Sequence, residues 1–192
     1  MKRQFLFLVF IFATSASFSQ QVFEQQNIRI LPESSLNITG DTNISKFNCE
    51  FNASLLEGKK TVQLSKSGKN IHFKDAVLVL KNEGFYCGNR AIKKDFHALM
   101  QTEKYPSIKL ELKKAIMKDN GDALAQVVIH MAGKTKTYEV PVEIISCPTP
   151  NFKGLLELNI NDFGLEPPRK LFGLIVIKEE IEINFNLVIK PI

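Results

Sequence analysis

The sequence predicts an all-β protein, one eight-stranded antiparallel barrel with a single short helix laid against it. Three observations carry that prediction. Apolar and polar residues alternate through most of the chain, the breaks between runs are mostly short and contain glycine, and one segment alone spaces its apolar residues helically. Period-two alternation puts successive side chains on opposite faces, which makes a strand with one wet and one dry face. Short glycine-bearing breaks suit hairpins, whereas parallel strands need long crossovers.

The runs follow one another along the chain. SKFNCEF, 45–51, places Phe47, Cys49 and Phe51 on one face. Ile108, Leu110 and Leu112 alternate with Lys109, Glu111 and Lys113. Ala125, Val127, Ile129 and Met131 share a face, and so do Tyr138, Val140, Val142 and Ile144. Leu156, Leu158 and Ile160 come next, and Ile181, Ile183, Phe185, Leu187 and Ile189 form the clearest run. LEGKK (56–60), KSGKN (66–70), KDNGDA (118–123) and AGKTK (132–136) read as hairpin turns. SCPTPNFKG (146–154) and LEPPRKLFG (165–173) read as longer loops. With no repeat and no linker rich in Gly or Ser, the chain is one domain.

The helix is predicted in NRAIKKDFHALMQTEKYP, 89–106. Asn89 can cap it, and Ile92, Phe96, Leu99 and Met100 recur at helical spacing. Pro106 drives Tyr105 out of the helical region, so the helix ends before it. One short helix with one apolar stripe has no core of its own. It must lie against the sheet or across an open end of the barrel.

The first nineteen residues read as a secretory signal peptide, leaving a mature domain over 20–192. Lys2 and Arg3 precede an apolar stretch, Phe5 to Ala13, followed by small residues. That stretch is too short to span a bilayer comfortably. The formal charge of +5 becomes +3 once Lys2 and Arg3 are subtracted, the leader having no acidic residue. The remaining charges are interspersed, which argues against nucleic acid as a partner. No stable membrane insertion of the mature chain is expected, and a homodimer is compatible with the sequence. Three cysteines, Cys49, Cys87 and Cys147, allow one disulfide in an oxidising compartment, with three pairings open.

Enzyme constellations are missing from the sequence. His72, His97 and His130 form no metal-ligand cluster, and there is no nucleophile elbow or phosphate-cradling loop. Asp162 has no nameable proton-transfer partner, and Lys134 and Lys136 fall in a turn facing solvent. No catalytic residue, metal or cofactor is expected. An eight-stranded barrel is either filled by its own side chains or holds one small ligand. With fifteen phenylalanines, no tryptophan and Tyr138 as the one inward hydroxyl, any internal ligand should be mostly hydrocarbon.

Four stretches, in order, resemble the YceI-like family of secreted, lipocalin-like polyisoprenoid-binding proteins. They are SSLNITGDTNISKF (34–47), CGNRAIKKDFHALMQTEKYPSIKLEL (87–112), VVIHMAGKTKTYEVPVEI (127–144) and NDFGL (161–165). The chain departs from the common pattern at Ile160, where many members have arginine, and at Phe47, where tryptophan is frequent. The resemblance implies an extended barrel whose tunnel holds a long-chain isoprenoid or fatty amphiphile, in an exported protein that is periplasmic or secreted. It also favours a Cys49–Cys87 disulfide, Cys87 opening the second stretch and Cys49 lying two residues past the first.

From alternation and the helix stripe, the expected lining is Phe47, Phe51, Phe96, Leu99, Met100, Ile108, Leu110, Ile129, Met131, Tyr138, Val140 and Phe163. The competing expectation is a packed barrel that works as an extracellular interaction module through its two long loops.

Overall fold

The computed structural model describes residues 22–146, 148–167 and 176–192. The leader, Cys147 and residues 168–173 of the second long loop lie outside them. The first strands are β1 (Glu24–Ile30), β2 (Ser35–Thr42) and β3 (Lys46–Phe51), followed by the 3-10 turn η1 (Ala53–Leu56). Then come β4 (Gly58–Ser67), β5 (Asn70–Lys74), β6 (Val77–Lys81), η2 (Asn82–Gly84) and β7 (Phe85–Tyr86). The helix α1 (Arg90–Leu99) precedes β8 (Ser107–Met117), β9 (Ala123–Met131) and β10 (Lys134–Ile145). The chain continues through β11 (Asn151–Asn159), η3 (Ile160–Phe163) and β12 (Ile177–Pro191).

Eight of these strands close a ring in the order β1-β4-β5-β8-β9-β10-β11-β12, with β12 returning to β1 through Ile30 opposite Ile189. Closure leaves the ring no free edge. The long strands β8 and β12 each serve two neighbours on one edge. Lys114–Ile116 of β8 pair with β5, and Ser107–Glu111 pair with β6. Ile189–Pro191 of β12 pair with β1, and Ile177–Asn186 pair with β2, which continues into β3 and β7. These handovers extend the barrel along its axis.

The ring has the predicted eight strands, and β2, β3, β6 and β7 stand beside it, the last two without clean alternation. VLVLK in β6 is apolar on both faces, with Val79 half exposed, and β7 has two residues. Two boundaries also shift. β11 begins at Asn151, so the loop predicted over 146–154 is shorter. The β9–β10 turn is only Ala132 and Gly133, with φ of 49° and 76°. Two consecutive positive φ values make the tight turn that matches strand twist. Lys134 and Lys136 therefore begin β10 rather than sit in a loop. Along β8 a bulge inserts Lys113 between Leu112, opposite Val127, and Lys114, opposite Gln126. Beyond it Ala115 takes over the inward face.

The helix forms where its pattern placed it. Asn89 Oδ1 accepts the Ile92 N–H at 2.9 Å. The Phe96 ring lies 5.0 Å from Phe85, itself 5.0 Å from Phe51. A disulfide joins Cys49 of β3 to Cys87 just before the helix. At the other end, fully buried Asn82 donates from Nδ2 to Thr102 Oγ1 (3.0 Å) and to the Tyr105 carbonyl (2.9 Å). The helix is thus tethered at both ends.

Candidate binding site

The inward face of the ring and of the adjoining β2 is hydrocarbon over most of its length. Leu36, Ile38, Ile129, Val140, Leu156 and Leu158 are buried, with Ile181, Ile183 and Phe185 packed against them. All twelve residues predicted as lining belong to this cluster. Phe51, Met100, Ile108, Ile129, Met131, Val140 and Phe163 are buried in it, and Phe47, Phe96, Leu99, Leu110 and Tyr138 are half-buried against it. The register of β9 and β10 shows why alternation found them: Ile129 faces Lys136, Val127 faces Tyr138 and Ala125 faces Val140, all on one side.

That last row changes character along β10. Its inward side runs Lys134, Lys136, Tyr138, Val140, Val142, passing from charged to apolar in five alternate positions. η3 closes over the polar end. Tyr138 donates its hydroxyl to Asp162 Oδ2 at 3.0 Å, and Lys136 Nζ stands 3.7 Å from Asp162 Oδ1. The Tyr138 ring stacks on buried Phe163, 6.3 Å away, and the Lys134 side chain lies beside Gly164. Asp162, without a partner in the sequence reading, therefore gathers a hydroxyl and an ammonium. The signal that could have found it was the inward parity shared by Lys136 and Tyr138 with Val140.

Desolvation of Tyr138, then its hydrogen bond to Asp162 and that carboxylate's charge, push its pKa up to about 12. A raised folded-state pKa contributes stability that is intact below the ordinary tyrosine value near 10 and is lost as pH climbs toward 12. A tyrosinate absorbance titration should show one ionisation near pH 12 that Tyr138→Phe abolishes. The variant should also flatten the decline in stability between about pH 10 and 12. An unchanged titration would detach the shift from this residue.

Among the described residues, the histidines show no comparable polar convergence. His97 Nδ1 meets Thr102 Oγ1 at 3.1 Å, an internal contact of the post-helix turn. On the outer face Thr135 Oγ1 lies 2.9 Å from His130 Nδ1, and His130 Nε2 lies 3.5 Å from Glu111 Oε2. This hydroxyl–imidazole–carboxylate line sits on an open sheet face, where strand pairing engages the backbone donors an oxyanion would need. Lys113, 2.8 Å away, then the hydrogen bond from His130 and the Lys109 charge, hold the Glu111 carboxyl below its usual range. Among the described residues no group of three or more His, Cys, Asp or Glu could hold a metal ion. An open groove of about 400 Å³ crosses mainly outward-facing residues, Pro141, Glu143, Lys153, Leu155 and Asn184. Ala123, Val142 and Gly154, from the inward side of the sheet, also line it.

The YceI-like domain model matches residues 33–189, nearly the whole ring. The chain belongs to the YceI-like family. Solved structures share the fold at low identity. BcnA of Burkholderia cenocepacia is 16% identical, with 81% of this chain and 95% of that one covered and a TM-score of 0.60. A polyisoprenoid binding domain from Saccharophagus degradans, implicated in plant cell wall breakdown, is 12% identical. It covers 88% of this chain and 100% of its own, with a TM-score of 0.61. The YceI protein of Campylobacter jejuni is 15% identical over 100% of this chain and 99% of its own, with a TM-score of 0.50. No curated protein matches the chain.

Both places where this YceI-like chain departs from the family pattern are apolar in the structure. Ile160 is buried, and the Phe47 ring lies on Gly40. Among the described residues no helix is long and apolar enough to cross a membrane.

Proposed function

We propose that the protein is exported, to a periplasm or beyond the cell, and there carries or sequesters a long-chain amphiphile, an isoprenoid first of all. The observation that carries this reading is the graded inward face of β10, hydrocarbon along the shaft and polar at one end. Family membership and the polyisoprenoid binding domain among the structural neighbours support it. The chain's tail would lie along Val140, Leu156 and Ile183, with its head beside Tyr138, Asp162 and Lys136. Each methylene removed from water favours binding by about 0.8 kcal/mol before ordering costs are subtracted. The helix, resting on Phe85 and Phe51, would cover the same end of the barrel as the polar head.

The test is native mass spectrometry of protein purified from its exported fraction, followed by solvent extraction and lipid analysis. A stoichiometric long-chain amphiphile is the expected result. A clean apo mass, with no uptake of offered polyprenols or isoprenoid quinones, would overturn the reading in favour of a packed barrel acting through its loops.

A further inference from the structure

Two inward-facing glycines have no conformational reason to be glycine. Gly40 on β2 and Gly154 on β11 are both absent from the positive-φ positions, so any residue could adopt their backbone. Space is what forbids a side chain. A Cβ on Gly40 would stand 2.6 Å from Phe47 Cε1, and one on Gly154 would stand 2.6 Å from Phe185 Cε1 and 3.0 Å from the Pro141 carbonyl. Real Cβ atoms essentially never approach so closely. Each phenylalanine is the direct cross-strand neighbour of its glycine, and each ring lies down on the wall where the missing side chain would have been.

Both pairs face the interior. Gly154 and Phe185 share their row with buried Val142 and Leu36, and Gly40 and Phe47 share theirs with Ile181 and Leu158. The pairs stand at different depths. Gly40 is opposite Ile181, in the row of Leu158 two residues before η3, while Phe185 lies four residues further along β12, about 13 Å along the strand.

We propose that the two glycines are berths that keep Phe47 and Phe185 out of the bore, and that the deeper berth sets the length of chain the barrel accepts. A ring flat on the wall leaves the axis clear. A methyl group in the berth lifts the ring into the path of the tail. This rests on the carrier reading above, with the tail running from the polar end inward. The ligand class that follows is a linear, thin isoprenoid chain, long enough to pass Phe47 and reach the Phe185 row.

The experiment offers farnesol and the much longer solanesol to the mature protein and reads bound stoichiometry and competition by native mass spectrometry. Gly154→Ala should bind farnesol as the parent does and lose solanesol by about tenfold, the size expected of overpacking. Gly40→Ala, nearer the entrance, should weaken both. Adding Phe185→Leu to Gly154→Ala should restore solanesol, because the obstruction is the ring. Phe185→Leu alone, with the berth intact, should load solanesol at least as well as the parent.

Uptake of neither alcohol by the parent protein would fell the carrier reading itself. Parent uptake of both, with equal losses in Gly154→Ala or no rescue by Phe185→Leu, would overturn the berth alone. Loss of solanesol in the single Phe185→Leu variant would overturn it too, since the ring would then be a contact rather than an obstruction. That last variant also decides the matter should Gly154→Ala fail to fold.

Discussion

Leu110→Glu should cost the protein about 3 kcal/mol or more and empty the barrel, whereas Lys109→Glu should leave stability within about 0.5 kcal/mol and loading intact. The two residues are neighbours in β8 and differ only in which way they point. Leu110 sits opposite Ile129, which is 1% exposed, and opposite Leu78 on the other edge. A carboxylate there would have no partner on the hydrocarbon face and would either stay charged at high cost or take up a proton. Lys109 faces outward, beside His130 and Val79. Urea midpoints and lipid content by native mass spectrometry measure both effects. Equal loading in the two variants would show that β8 does not present Leu110 to the interior.

How much of this was readable in the sequence depended on whether a strand has two different faces. β8, β9, β10 and β12 do, and alternation alone put Leu110, Ile129, Val140 and Ile183 on the faces that pack into the buried cluster. β6 does not, because VLVLK offers no contrast between Leu80, buried, and Val79, half exposed. β1 fails for the opposite reason, since EQQNIRI is exposed over its first half and becomes apolar only where it meets β12. The bulge at Lys113 could not be seen, because a one-residue insertion simply looks like the end of the pattern.

The polar end of the site was hidden by a different cause. Lys134 and Lys136 look like turn residues in AGKTK until the turn is known to consist of Ala132 and Gly133 alone. A two-residue turn assigns both lysines to the strand and to its inward side. Asp162 then needs η3 to fold it back over Tyr138, a tertiary event with no local signature. The Gly154 berth was equally invisible, because it depends on a cross-strand neighbour, Phe185, far away in sequence.

Cys49→Ala with Cys87→Ala, or reduction of the parent protein, should lower stability by roughly 4 kcal/mol on the chain-entropy model for a 38-residue separation. Alanine is the right replacement because both positions are almost fully buried, 0% and 2% exposed, and serine would leave hydroxyls without partners. The loss should not fall evenly on the structure. β7 holds β3 through two residue pairs only, Glu50 with Tyr86 and Phe51 with Phe85, and the helix begins three residues past Cys87. Without the crosslink, the Phe51–Phe85–Phe96 stack is joined to the barrel mainly from the Asn82 side. Amide exchange should therefore accelerate in α1 and β7 well before it does in β9 and β10, and urea midpoints with and without reductant should converge in the double variant. A midpoint indifferent to reductant in the parent protein, or a peptide map joining Cys147 to either partner, would contradict this. If the helix covers the entrance to the bore, the same cut should also speed lipid exchange, because the cover would then be anchored at one end instead of two.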